Sequence, residues 1–279
     1  MSARVIAIIQ GRMSSSRLPG KILADLAGQP MLQRVFIRTS RASTVTETIF
    51  ATTTDSTDDP VAEYCAFSGI PFTRGSLYDV LDRYYQTARQ AKADVVVRIT
   101  ADCPVIDPKL IDDVVNTLIG KSKIEYRISE FDFVCNRLPP PWHRTYPIGL
   151  DTEACTFAGL EKAWKEAKEP QHREHVMPYF YEGTELSVVG RQLSEGISPR
   201  GFRVALLNHT TDFGDYRWTV DTPEDLEFMR QVYGRFDGRE DFSWKEVLDL
   251  VHNEPALMQI NAGVKHKTLK DIDKRALKR

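Results

Sequence analysis

The feature that most constrains the fold is the run Val5-Ile6-Ala7-Ile8-Ile9, which contains no polar position. A strand with one wet face alternates apolar and polar residues. An unbroken apolar run belongs to a strand covered on both faces, as in parallel sheets flanked by helices. The next hundred residues repeat that theme. Glu47–Thr53 and Asp94–Thr100 read as further strands, and Ile70–Thr73 as a short one. Between them, Met31, Leu32, Val35 and Phe36 recur at helical spacing and predict a helix to about Arg41. Asp58-Asp59-Pro60 opens a second helix, with carboxylates at its positive end. A third is predicted from Asp79 to Gln90, and a fourth from Pro108 to about Leu118. Strands alternating with helices imply an α/β fold with a doubly wound, mainly parallel sheet.

The pattern changes at about residue 125. Prolines cluster at Pro139-Pro140-Pro141. Helices are predicted from about Phe157 to Lys168 and from Arg173 to Tyr181, with antiparallel-type strands at Glu185–Val189 and Phe202–Leu207. This reads as an α+β region, at about 125–215, inserted in a single domain spanning 1–252. Tyr216–Val220 is expected to return to the sheet, and helices at Pro223–Tyr233 and Trp244–His252 to close the fold. The tail, 253–279, is basic, with seven cations against two aspartates from Lys265 onward. A docked or frayed surface helix is the favoured reading of it, ahead of an RNA- or lipid-binding arm.

The loop that leaves the first strand is Gln10-Gly11-Arg12-Met13-Ser14-Ser15-Ser16-Arg17-Leu18-Pro19-Gly20-Lys21. Ligands of open α/β sheets bind at the carboxyl ends of strands. Glycines let backbone N–H groups approach a ligand, serine hydroxyls add donors, and Arg12, Arg17 and Lys21 suit phosphate oxygens. Gln10, Gly11, Arg12, Ser14, Ser16, Arg17 and Lys21 are therefore the candidate polyphosphate contacts. The loop is not a Walker A motif: Ser15 and Ile22 stand where that motif has Gly and Ser or Thr.

A polyphosphate site calls for a divalent cation, and Mg²⁺ is held by one or two carboxylates plus phosphate oxygens. Asp102 follows the strand ending at Thr100, and Asp221 follows Val220. Thr222, Pro223 and Asp225 supply an N-cap and a capping-box-like turn for the next helix, leaving Asp221 free for a metal. Asp102 and Asp221 are thus expected to hold Mg²⁺, with Arg12, Lys21 and Asp102 as the catalytic set. Arg74 and Ser76, just past the third strand, are further nucleotide-binding candidates. Arg144, Asp151, Glu153 and His175 are candidates for substrate binding, an arginine suiting a carboxylate and an aspartate suiting hydroxyls. His172 and His175, one helical turn apart, lack a third ligand nearby in sequence, so a metal site there is disfavoured.

Composition narrows the class. The chain is 42% hydrophobic and 27% charged with a net charge of −2, unlike the basic balance of most nucleic-acid binders. No apolar run approaches the ~20 residues that cross a bilayer. A core strand at the very start leaves no room for a signal peptide. The four cysteines are widely spaced, so reduced thiols in a cytoplasmic protein are expected, with no nucleic-acid or membrane partner.

The run Arg-x-x-Ser-x-Arg-Leu-Pro-Gly-Lys resembles the opening signature of the nucleotidyltransferases that make CMP-activated sugar acids, the CMP-sialic acid and CMP-KDO synthetases. The likeness is greatest to the spore-coat polysaccharide cytidylyltransferase-like branch, whose Gly-Leu-Asp-x-Glu and Arg-Glu-His-Val runs resemble Gly149–Glu153 and Arg173–Val176. Asp102-x-Pro104 and Val220-Asp221-Thr222-Pro223-Glu224-Asp225-Leu226 look like the two metal-carboxylate motifs of the CMP-KDO synthetases, with Cys103 standing where those carry Glu. The resemblance implies a GT-A-like nucleotide-diphospho-sugar transferase fold with an inserted dimerisation and sugar-binding region. It implies CTP and a sugar acid as substrates, Mg²⁺ as cofactor and a homodimer. The rival readings are a sugar-1-phosphate nucleotidyltransferase, a GT-A glycosyltransferase, and a nucleotide-binding regulator without turnover.

Overall fold

The computed structural model describes residues 3–121 and 131–265. Its N-terminal half alternates as expected: β1 (Val5–Gln10), α1 (Met31–Ser40), β2 (Glu47–Thr53), α2 (Asp59–Phe67), β3 (Phe72–Gly75), α3 (Val80–Gln90), β4 (Val95–Thr100) and α4 (Pro108–Leu118). All three neighbouring pairs among β1–β4 are parallel, in the order β3-β2-β1-β4. The helix starts follow their sequence signals. Asp107 caps α4 by accepting from Lys109 N and Leu110 N, with Pro108 at the first position. Asp79 caps α3 by accepting from Asp82 N.

The second half, which holds the region read as an insertion, continues the sheet of the first half. It supplies β5 (Phe133–Cys135), β6 (Glu153–Thr156), β7 (Ser187–Val188), β8 (Leu193–Ile197) and β9 (Arg203–Leu207), which extend the same sheet in the order β4-β6-β5-β9-β8-β7. β6 runs antiparallel to β4 and to β5, while β9 is parallel to β5 and antiparallel to β8. Strands of three and four residues are too short to carry a legible period, so β5 and β6 left no sequence signal. Three further helices, α5 (Phe157–Glu166), α6 (Pro170–His175) and α7 (Pro178–Tyr181), pack beside this half. Val176, at a φ of 69°, and Pro178 break what the sequence reads as one helix.

Tyr216–Val220 does not rejoin the sheet as a strand; a single parallel bridge, Ile148 to Arg217, marks its passage. Trp218 N donates to Ile148 O at 2.7 Å and Val220 N to Asp102 O at 2.8 Å, so the segment crosses the carboxyl edge of β4. Gly149 makes the crossing possible. Its φ is 107°, and a Cβ there would lie 2.5 Å from the Trp218 carbonyl carbon. The chain then forms α8 (Pro223–Arg235) and α9 (Trp244–Asn253).

Side-chain alternation along the buried strands sorts the interior into two layers. Ile6, Ile8 and Val96 pack with Leu81, Tyr84, Leu160 and Phe180 of α3, α5 and α7. Ala7, Ile9, Val97 and Ile99 pack with Leu32, Val35, Val114, Phe228 and Val247 of α1, α4, α8 and α9. Arg38, fully buried on α1, locks the second layer. Its Nε, Nη1 and Nη2 donate to the carbonyls of Ile106, Glu240 and Phe242 at 2.8, 3.0 and 2.9 Å. No helix among the described residues is long and apolar enough to cross a membrane. The four cysteines are buried and free. Of the basic tail, all beyond Lys265 lies outside the described residues.

Candidate active site

The carboxyl ends of β1 and β4, together with the Tyr216–Val220 crossing, converge on one lysine. Lys21 Nζ lies 2.7 Å from Asp102 Oδ2, 3.0 Å from Asp221 Oδ1 and 2.7 Å from the Val220 carbonyl oxygen. Two aspartates 119 positions apart in sequence therefore face the same ammonium, as the loop-and-carboxylate reading required. Lys21 is buried. Desolvation alone would lower its pKa, but the charges of Asp102 and Asp221 outweigh that, and the ammonium is held above its ordinary value.

Asp221 is the most densely paired carboxylate here. Besides Lys21 it meets Arg17 Nη2 at 2.8 Å and Arg217 Nη2 at 3.0 Å. Burial raises its pKa, yet Lys21, Arg17 and Arg217 together hold it far below the usual carboxylate range. The helix that follows is capped without it. The Thr222 hydroxyl accepts from Asp225 N, and the Asp225 carboxylate accepts from Thr222 N. That Thr222 and Asp225 take the capping work and leave the Asp221 side chain out of it was readable in the sequence. Arg217 was not singled out. Its guanidinium joins Asp221 to the buried Asp225, and the i, i+4, i+8 spacing Arg217, Asp221, Asp225 was the available signal.

The loop is tied down by its own backbone. Gly20 N and Ser15 N both donate to Met13 O at 2.9 Å, and Met13 N donates to Asp58 Oδ1 at 2.7 Å. Gln10 ends β1 and its carbonyl accepts from Ala101 N. A Cβ on Gly11 would fall 2.7 Å from Ala101 Cβ and 2.8 Å from Phe50 Cζ, so the close approach of β1 and β4 demands glycine there. Arg12 reaches toward the Leu77 carbonyl at 3.5 Å, and Ser14 and Ser16 lie in the same loop.

The remaining candidates are placed differently. Arg74 donates to Thr53 O at 2.7 Å and to Asp59 Oδ1 at 2.6 Å, clamping β2 to the start of α2. Ser76 Oγ accepts from Asp79 N at 3.0 Å and shapes the turn into α3. Arg144 and Asp151 pair with each other in a fork, Nη1 to Oδ1 at 2.5 Å and Nη2 to Oδ2 at 3.0 Å. Glu153 lies in β6 with its carboxylate on Arg98 of β4, buried in the sheet. His175 lines a separate cavity of about 230 Å³ with Trp142, Pro178 and Tyr181. His172 is turned to Glu182 at 2.8 Å, in keeping with a structural role. Cys103 is buried with its sulfur 3.2 Å from Thr100 Oγ1, so no third acidic side chain stands between Asp102 and Pro104. Among the described residues no group of three or more His, Cys, Asp or Glu side chains could hold a metal. A pair of carboxylates beside a candidate phosphate loop still fits Mg²⁺, which takes its remaining positions from phosphate oxygens and water.

Comparison with known proteins gives the family. A cytidylyltransferase family model matches residues 6–242. The chain belongs to the cytidylyltransferase family. It is thus related to CTP-dependent nucleotidyltransferases over most of its length. A 3-deoxy-manno-octulosonate cytidylyltransferase of Geobacter metallireducens is 37% identical, over 84% of this chain and 99% of that protein. The spore coat polysaccharide biosynthesis protein SpsF of Bacillus subtilis is 29% identical, over 90% of this chain and 95% of that protein. The solved cytidylyltransferase of Leptospira borgpetersenii superposes with a TM-score of 0.79 at 28% identity, covering 95% of this chain and 100% of that one. Family membership sets aside the glycosyltransferase reading.

Proposed function

We propose that this cytidylyltransferase transfers CMP from CTP to a sugar acid and releases pyrophosphate, with Mg²⁺ as cofactor, in the synthesis of a surface polysaccharide or glycan. The observation that carries the reading is the meeting of Lys21 with both Asp102 and Asp221 at the mouth of the cationic loop. The loop from Gln10 to Lys21 receives the triphosphate. Lys21 and Arg12 neutralise charge on it as the hydroxyl oxygen of the sugar, its proton passing to solvent, bonds to the α-phosphorus and the bond to the leaving pyrophosphate breaks. Asp102 and Asp221 would hold Mg²⁺, which when bound offsets the negative charge of the phosphates. No covalent enzyme intermediate is required; positioning and preorganised charge supply the catalysis. Arg17 and Arg217 fix the Asp221 carboxylate, so its orientation is set before substrate arrives. Sugar selection is assigned to the Arg144–Asp151 region, and the active species to a homodimer.

The test is pyrophosphate release from CTP, UTP and GTP with Mg²⁺ across a panel of keto-sugar acids. Turnover with CTP is expected, and Asp221→Ala should lower the rate by about 10²-fold or more. Turnover with UTP or GTP but never CTP refutes the base assignment. Near-normal turnover of the variant removes Asp221 from the metal.

A further inference from the structure

One buried cation near the site has no part in the mechanism above. Arg83 sits in the first turn and a half of α3 and is 2% exposed. Its Nε, Nη1 and Nη2 all lack a hydrogen-bond partner. A guanidinium stripped of water and given nothing in return is a strongly unfavourable arrangement unless an anion completes it. The carboxylates within electrostatic reach are already engaged. Asp58 accepts from Met13 N and Thr53 Oγ1, and Asp79 accepts from Arg173 and from Asp82 N. Burial is the main cause that pulls the Arg83 pKa down, to about 10, and the nearby Arg12 charge lowers it further, against raising contributions from Tyr84, Asp58 and Asp79.

The fold holds the guanidinium there by design of its backbone. Gly75 ends β3, and a Cβ on it would fall 2.7 Å from Arg83 Cγ. The stem of Arg83 therefore passes over the carboxyl end of β3. Arg12, from the loop after β1, reaches the same place, since its Nη1 approaches Leu77 O two residues beyond Gly75. Two arginines from different elements thus face each other's field at the sheet edge where the nucleotide is proposed to bind.

We infer that Arg83 binds an oxyanion of the nucleotide, a phosphate group that it shares with Arg12. The inference rests on the proposed role of Arg12 at the triphosphate. Phosphate is the fitting class because the three idle nitrogens of a planar fork match its oxygens, and the sugar-acid carboxylate is assigned elsewhere.

The experiment compares wild type with Arg83→Met, Arg83→Lys and Gly75→Ala by thermal shift and calorimetric titration, using sodium tripolyphosphate and CTP without added metal. Arg83→Met should melt at or above the wild-type temperature in the absence of anion. Its Kd for tripolyphosphate should rise at least tenfold, with Arg83→Lys between the two. Gly75→Ala, which displaces the side chain but keeps the charge, should weaken tripolyphosphate binding in the same direction. A lower melting temperature for Arg83→Met with unchanged Kd in both Arg83→Lys and Gly75→Ala overturns the inference and makes Arg83 a structural residue. The two readings separate cleanly. Arg83-dependent tripolyphosphate binding in a protein that never turns over CTP sinks the proposed reaction and keeps this inference. Normal CTP turnover and KM in Arg83→Lys, with tripolyphosphate binding unaltered, does the reverse.

Discussion

Arg38 on α1 and Arg83 on α3 are both buried, and they differ in what closes around them. Arg38 spends its nitrogens on three backbone carbonyls and lays its guanidinium over the Phe242 ring at 4.3 Å. The Arg83 guanidinium makes no hydrogen bond. Lys21 falls between them: it is fully coordinated, but by two carboxylates that also suit a metal. Carbonyls donated by the chain cannot leave, so Arg38 is part of the scaffold. Carboxylates can exchange partners, so under the proposed function Lys21 is placed to work when a phosphate and a cation arrive. The partner set, more than burial, separates a structural cation from a functional one.

The largest expected effect breaks this comparison at the working end. Lys21→Met should reduce CTP turnover about 10³-fold, in line with loss of a preorganised donor to developing charge. A steady-state assay of pyrophosphate release measures it, and a variant within tenfold of wild type would place Lys21 with Arg38 as scaffold. Arg38→Met probes the other end. It strands the carbonyls of Ile106, Glu240 and Phe242, and should cost about 3 kcal/mol of unfolding free energy by urea titration. Retained stability would show that those carbonyls find other donors.

A smaller effect concerns pH. Asp221 is held below the ordinary carboxylate range by Lys21, Arg17 and Arg217 against the opposing effect of burial. The folded chain therefore holds this proton less tightly than the unfolded one. Its contribution to stability is complete above the unfolded pKa, about 4, and is lost as pH falls toward the depressed folded value. Asp221→Asn should flatten the decline of the urea midpoint between about pH 5 and about pH 3; a decline of unchanged slope would mean that the carboxylate is not charge-paired in solution. The smallest effect is expected at the surface. Arg235 meets Glu254 at 3.1 Å with both side chains well exposed, and Arg235→Ala should change stability by less than about 1 kcal/mol. A larger loss in the same urea titration would show that exposed pairs matter here, weakening the distinction drawn from partners.

Much of the site was legible from the chain. The run Val5–Ile9 followed by a glycine- and cation-rich loop pointed to a candidate phosphate site at the end of β1. Thr222 and Asp225 visibly took the capping work and left Asp221 over. The other candidates have structural partners that such reading does not see. Arg74 donates to the Thr53 carbonyl on the neighbouring strand, Arg144 pairs with Asp151 seven residues on, and Glu153 pairs with Arg98 across the sheet. Nothing local announces such partners. Arg83 stands out only through the absence of partners for its guanidinium, which no sequence states.

The sequence by itself determined the buried β-strands, the helix caps and the identity of the loop. These depend on interactions between residues a few positions apart, and on whether a strand has one wet face or none. Tertiary structure alone decided that the second half extends the same sheet, because strands of three or four residues are specified by their neighbours. It also decided that Tyr216–Val220 crosses the edge of β4 and brings Asp221 to Lys21. That contact joins residues 200 positions apart, and only the packed sheet brings them within bonding distance.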